Sequence, residues 1–209
     1  MDLKQKYAHN HSMITNKTMY LNGRLFSTYN KISKNYLNKV LSGKNIDLGS
    51  GDKGFTQFLE SINIESFPYD YPEFDIEKDS LPHPDDSIDF ITLNAVIEHI
   101  TNPEHIFKEI RRVLRNEGLV FIRTPNWQID FRNFYNDPTH VKPYSPQTIK
   151  NFLILSDFNV LFLEPGLIEK SWFWWRLPEL IKWKIASVLR GGTKSILAVG
   201  CKIKLKENV

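Results

Sequence analysis

Two glycines one residue apart, in Asn45-Ile-Asp-Leu-Gly-Ser-Gly-Asp-Lys-Gly-Phe, constrain this chain more than any other feature. Apolar residues lead into them, and Phe55, Phe58, Leu59 and Ile62 follow at helical spacing. The stretch reads as a short buried strand, a sharp turn and a helix. Glycine lets the backbone turn tightly and approach a ligand closely, so Gly49, Ser50 and Gly51 form a candidate cofactor loop.

Asp47 narrows the choice of ligand. A carboxylate two residues before the first glycine repels a pyrophosphate at the helix N-terminus, where a dinucleotide would place one. It favours a ligand with a cationic centre and no phosphate. S-adenosylmethionine, with a sulfonium, an amino group and a ribose, answers that description better than NAD. Asp70 lies 21 residues beyond Gly49, at the tip of a second short strand over Phe67–Tyr71. An acid there can accept hydrogen bonds from both ribose hydroxyls. The competing reading is a turn aspartate between Pro68 and Pro72.

Along the chain, residues 1–22 show no period and suggest an arm or a cap over the site. Leu25, Tyr29, Ile32, Tyr36 and Val40 then mark a helix closed by Ser42-Gly43. Little room separates Asp70 from Pro82, so the helix between the second and third strands is missing or reduced to a turn. A strand pattern follows over Asp86–Ala95. Asn102-Pro103 opens a helix with Ile106, Phe107, Ile110, Val113 and Leu114 inward, and Arg111, Arg112 and Arg115 complementing its C-terminal dipole. Leu119–Thr124 is another strand after Gly118. Trp127–Tyr144 is aperiodic and reads as a functional loop. A helix begins at Ser145-Pro146, and strands are expected over Asn159–Leu163 and Ser195–Leu205. The alternation predicts an α/β, doubly wound, mostly parallel sheet with helices on both faces and a shortened strand 2–strand 3 connection.

A chain of 209 residues supports one domain. Its parts are an N-terminal arm and helix (1–44), a cofactor-binding core (45–165), an aromatic and basic insertion (166–194) and a last strand (195–205). The single cysteine, Cys201, fits a reducing compartment, and no run approaches the ~20 apolar residues of a membrane span. A cytoplasmic location is expected. The net charge of +3 hides a segregation: residues 45–105 hold fourteen acids against two Lys/Arg. That block is either a field for a cationic ligand or a solvated acidic face. Trp172–Arg190 joins tryptophans to a cationic amphipathic pattern. It suits packing on the sheet or self-association first, and peripheral contact with an anionic membrane second.

With these residues in view the chain resembles the Rossmann-like S-adenosylmethionine-dependent methyltransferases, from about Asn45 to Phe158. Asp47-Leu-Gly-Ser-Gly resembles the family's first motif, and Leu81-Pro-His-Pro-Asp-Asp-Ser-Ile-Asp-Phe the entry to its fourth strand. Val96-Ile-Glu-His-Ile-Thr-Asn-Pro, Glu109-Ile-Arg-Arg-Val-Leu-Arg-Asn-Glu-Gly and Thr124-Pro-Asn continue the match in order. Thr139-His-Val-Lys-Pro-Tyr-Ser resembles a segment of subgroups linked to cell-surface sugar pathways. The resemblance implies that Gly49, Ser50 and Gly51 wrap the methionine part, that Asp47 orders their loop, that Asp70 holds the ribose and that Tyr71 lies against the adenine. Asp75 and Asp79 compete for the adenine amino group, and Asn94 borders the methionine moiety. Two departures stand out: Lys53 replaces a frequent third glycine, and Glu117 the first of two glycines before the fifth strand.

Methyl transfer to a hydroxyl profits from a base, and His140 and His99 are the candidates. Glu98, His99 and His140 together offer a carboxylate and two imidazoles. Some O-methyltransferases acting on small-RNA ends or quinone precursors carry a second glutamate where Ala95 stands here, and magnesium prefers more oxygen. No metal is therefore expected. The predicted function is O-methylation of a small molecule or glycan precursor, with no nucleic-acid partner. The alternative is a catalytically inactive cofactor-binding module serving as a partner subunit or membrane-surface scaffold.

Overall fold

A computed structural model describes residues 16–165 and 194–203. The first fifteen residues with His9 and His11, the insertion Trp172–Arg190 and the tail beyond residue 203 lie outside the described residues. The elements run α1 (Asn16–Leu37), β1 (Lys44–Leu48), α2 (Gly54–Ser61), β2 (Glu65–Tyr69), β3 (Ile88–Asn94), α3 (Glu104–Val113), β4 (Leu114–Pro125), α4 (Trp127–Asp130), α5 (Pro146–Leu155), β5 (Phe158–Pro165) and β6 (Ser195–Lys202). Single 3-10 turns occupy Ile97–His99 and Phe134–Asn136. The sheet order is β2-β1-β3-β4-β6-β5. The pairs β1–β2, β1–β3 and β3–β4 are parallel, and β6 runs antiparallel to both its neighbours.

Period-two alternation divides the apolar residues between the two faces. Leu119 and Phe121 of β4 and Leu197 and Val199 of β6 join α1 and α2 in one cluster. Val120, Ile122, Ile196 and Ala198 join α3 and α5 in the other. Buried polar groups cross-link the central strands. Asn45 donates through Nδ2 to the Phe90 carbonyl (3.2 Å) and accepts from Ser66 Oγ (2.7 Å), so β2, β1 and β3 share one side chain.

Several local expectations are corrected. α1 begins at Asn16, so residues 16–22 are helical rather than part of an arm. Its buried stripe is Leu25, Tyr29 and Ile32. Tyr36, in the last turn of the helix, is 52% exposed and so off the buried stripe, and Val40 is 58% exposed because the helix ends at Leu37 and Asn38 takes a left-handed φ of 54° before Ser42-Gly43 is reached. Ile62 is exposed as the C-cap of α2. The loop Trp127–Tyr144 contains α4, capped by Asn126 Oδ1 accepting from the Gln128 amide, and a 3-10 turn within an aromatic cluster of Trp127, Phe134 and Tyr135. The three arginines near the end of α3 do more than face its dipole. Arg111 donates to the Asp157 carbonyl (2.8 Å), Arg115 pairs with Asp89 (2.6 Å), and Arg112 grips the segment before β3. Among the described residues no helix is long and apolar enough to cross a membrane.

Phe121 is fully buried, stacked on Tyr29 of α1 at 4.5 Å and edge-on to Phe90. Phe121→Ala should destabilise the fold by about 3–5 kcal/mol, read as a lower urea midpoint; a loss under about 1 kcal/mol would show that α1 does not depend on this contact.

Candidate functional site

The turn after β1 owes its shape to its glycines. Gly49 and Gly51 adopt φ of 68° and 52°, and the Gly49 and Ser50 amides both donate to the Tyr69 carbonyl, at 2.7 and 3.3 Å. A Cβ on Gly49 would lie 2.4 Å from Val96 Cγ2, whereas one on Gly51 would meet nothing within 4 Å. The first glycine is thus required by packing and the second borders open space. Lys53 and Glu117, the two departures from glycine, take glycine-like φ of 59° and 60°. Lys53 sits as the N-cap of α2, and Glu117 pairs with Lys39.

Asp47 lies beneath this turn. It is 3% exposed and accepts from Thr92 Oγ1 of β3 (2.9 Å) and Thr56 Oγ1 of α2 (3.2 Å). Burial pushes its pKa from 3.8 up to about 7, the two hydroxyl bonds opposing the shift and Asp70 and Asp52 reinforcing it. Asp47 therefore braces the loop and is not among the cavity-lining residues.

A cavity of about 360 Å³ opens above the turn, between the ends of β1, β2 and β3. This is the carboxyl end of a parallel sheet, where ligands bind in such folds. Gly49, Gly51, Asp70, Tyr71 and Asp75 line it. Asp70 accepts from the Gly51 amide (2.8 Å) through Oδ2 and from the Tyr71 amide (2.9 Å) through Oδ1, and burial raises its pKa. Its remaining lone pairs are available to hydroxyls. Of the two competing acids, Asp75 reaches the cavity, while Asp79 turns back to accept from the Asp75 amide (2.7 Å). Asn94 is not in the lining; its Oδ1 accepts from the Tyr29 hydroxyl. Ser50 is also off the wall, 8% exposed, with a buried hydroxyl lacking a hydrogen-bond partner.

His99 and Thr139 also line the cavity. His99 Nδ1 lies 3.1 Å from the Thr139 carbonyl and 2.9 Å from its hydroxyl, which donates to Asp137 Oδ1 (2.6 Å). A carbonyl only accepts, so Nδ1 carries the proton and Nε2 the lone pair. His140 Nδ1 likewise meets the Phe134 carbonyl at 2.6 Å, and the two rings are 4.8 Å apart. His140 is not in the cavity lining, and its ring packs against that of His99. Glu98 is fully buried and accepts from Thr124 Oγ1 (2.9 Å); burial raises its pKa from 4.5 to about 7. His83 and His105 are half-buried. His83 Nε2 bonds the Tyr69 hydroxyl (2.9 Å) and His105 Nε2 the Asp79 carbonyl (3.1 Å).

Several wall residues escaped sequence reasoning. Phe74 and Ile76 supply the apolar side next to the acids, a signal present in Phe74-Asp-Ile-Glu but overshadowed by its charges. Ala95 holds a left-handed φ of 57° at the rim, its amide fixed by the Arg123 carbonyl (2.8 Å); nothing in an alanine announces that conformation.

A family model described as a methyltransferase domain matches residues 19–162. A probable S-adenosylmethionine-dependent methyltransferase of Mycobacterium tuberculosis is 32% identical over 94 residues, 42% of this chain and 34% of that protein. An uncharacterized methyltransferase of Bacillus subtilis is 32% identical over 124 residues, 55% of this chain and 44% of that protein. The match thus spans less than half the length of these curated relatives. A solved S-adenosylmethionine-dependent methyltransferase of Archaeoglobus fulgidus aligns with TM-score 0.67 at 19% identity, covering 96% of this chain and 100% of that one. Phosphoethanolamine N-methyltransferase 2 of Haemonchus contortus, solved with S-adenosyl-L-methionine, aligns with TM-score 0.55 at 14% identity, covering 83% and 52%. At these identities the structural likeness is one of fold.

Gly49→Ala should lower the melting temperature by several degrees, since a clash in the range of about 1–3 kcal/mol adds to the strain of a positive φ; an unchanged melting curve would contradict the packing at Val96. Asp47 binds a proton more tightly in the folded chain than the unfolded one, so its contribution falls as pH rises from about 4 through 7. Urea midpoints of the wild type should decline relative to Asp47→Asn across that window, and parallel profiles would count against a raised folded-state pKa.

Proposed function

Because the chain belongs to the S-adenosylmethionine-dependent methyltransferases, we propose that it methylates an oxygen of a small molecule or a cell-surface glycan precursor. The observation that carries this reading is that one cavity is lined both by the glycine turn and Asp70 and by His99 and Thr139. Donor site and candidate base thereby share a wall.

The residues present fit the cofactor. Gly51 presents bare backbone to open space, Asp70 retains acceptor capacity for the ribose hydroxyls, and Tyr71 and Asp75 flank the position of the adenine. The open flank near Phe74 and Ile76 gives the base an apolar surface. When bound, S-adenosylmethionine supplies a methyl carbon activated by its sulfonium.

The chain's own residues hold the acceptor in line and manage its proton. Positioning of this kind can supply ~7–11 kcal/mol of the barrier. His99, with its proton kept on Nδ1 by the Thr139 carbonyl, turns the basic Nε2 to the task of accepting the hydroxyl proton. The Thr139–Ser145 segment, which resembles subgroups linked to cell-surface sugars, supports the glycan side of the reading.

Incubation of the full chain with labelled S-adenosylmethionine and a panel of nucleotide sugars, phenols and lipid-linked sugars should transfer label to a hydroxyl; transfer to amines alone would sink the oxygen reading. Asp70→Asn should weaken cofactor binding about 10- to 100-fold in calorimetry, as expected for loss of hydrogen bonds to a charged acceptor. Equal affinity would remove Asp70 from the ribose.

A further inference from the structure

We propose that Glu98, His99 and His140 bind a divalent metal ion of the zinc class at the wall of the cavity. Their ligand atoms lie within 4.8 Å of one another, and each residue offers one. Tetrahedral bonds of about 2.0–2.2 Å would set donors roughly 3.5 Å apart, so closing onto an ion asks for side-chain movements of about an ångström.

Three independent features prepare these groups as ligands. Both imidazoles have Nδ1 directed at main-chain carbonyls, of Thr139 and Phe134, which places the lone pair on Nε2 in each ring. A metal-binding histidine needs that tautomer, and a carbonyl behind the ring is the usual way to enforce it. Glu98 is fully buried, yet among the described residues its Oε1 has no hydrogen-bond partner, while Oε2 is steadied by Thr124. An orphaned buried carboxylate oxygen is costly and calls for a partner. Finally, the two chain segments are stapled together, since the Glu98 carbonyl accepts from the amides of Val141 (2.9 Å) and Lys142 (3.0 Å). The donors come from positions far apart in sequence but on a fixed main-chain frame.

The donor set selects the ion. Two nitrogens and one carboxylate suit zinc, and related transition ions such as cobalt, while magnesium and calcium ask for six or more oxygens. The trio offers magnesium too little oxygen, but an ion that takes imidazole has no such shortage. Three protein ligands also leave a coordination position. Resting on the oxygen-acceptor reading, an acceptor hydroxyl bound there would give up its proton to bulk water more easily; His99 would then serve as a ligand in the metal-loaded protein and as the base only in the metal-free one.

The test is a direct titration of the full, chelator-stripped chain with zinc by calorimetry, and with cobalt by visible absorption, in the absence of cofactor. One ion per chain is expected. His140→Ala and Glu98→Gln should each weaken zinc at least ~100-fold, because changes to outer-shell partners alone can cost 10- to 100-fold. Both variants should still bind S-adenosylhomocysteine, which certifies their fold. A His9→Ala/His11→Ala double variant should bind zinc as the wild type does. No stoichiometric zinc, equal affinity in the His140 and Glu98 variants, or loss only in the His9/His11 variant would overturn the proposal. A chain that binds zinc but neither S-adenosylmethionine nor its product would retain the metal site and instead overturn the methyl-transfer reading.

Discussion

Asp47 ties β1 to β3 through Thr92 and to α2 through Thr56, and the glycine turn hangs from that junction. The carboxylate pays a desolvation penalty that two hydroxyls only partly offset, as its raised pKa records. A group held at such cost fixes the relative height of two parallel strands and the helix that follows the turn. The packing of Gly49 against Val96 depends on that height, because the first residue after β1 and the second after β3 meet with no room for a Cβ between them. Strand register, turn shape and cavity floor are therefore one construction.

The flank of the cavity is built differently. Residues 70–87 form no helix or strand, and they are held by side chains rather than by a ladder. Arg112 of α3 donates to the carbonyls of Leu81 and His83 and to Asp85, while Glu109 accepts from the Leu81 amide and orients the guanidinium. Along the cavity, Asp75, Asp79, Glu77 and Lys78 close a small turn upon themselves. One end of the pocket is thus set by the sheet and the other by a clamp on a neighbouring helix.

What could be read in advance follows from how local each cause is. The glycine turn, Asp70 at the tip of β2, the Ser145-Pro146 helix start and the alternation of strands with helices are short-range patterns, and they are found where the residues pointed. The capping box of Ser145 and Thr148 shows why, since its hydrogen bonds span three residues. Long-range causes were invisible. Asn94 is held away from the cavity by Tyr29 of α1, Asp79 by its own turn, and Val40 lies beyond a helix that Asn38 has already ended. The left-handed Ala95 belongs to the same class, because its conformation is imposed by β4 through Arg123 rather than by its own side chain.

The outer strand that a longer connection after β2 would have supplied does not occur among the described residues, so β2 stands at the margin of the sheet. A margin of unpaired peptide groups invites a second molecule to add its own strand. Here the strand is only five residues long, opens on Glu65 and carries Pro68, which has no N–H to give to a newcomer. The shortened connection after β2 thus leaves an edge that is short, charged at its start and lacking a donor at Pro68, and so poorly suited to strand addition.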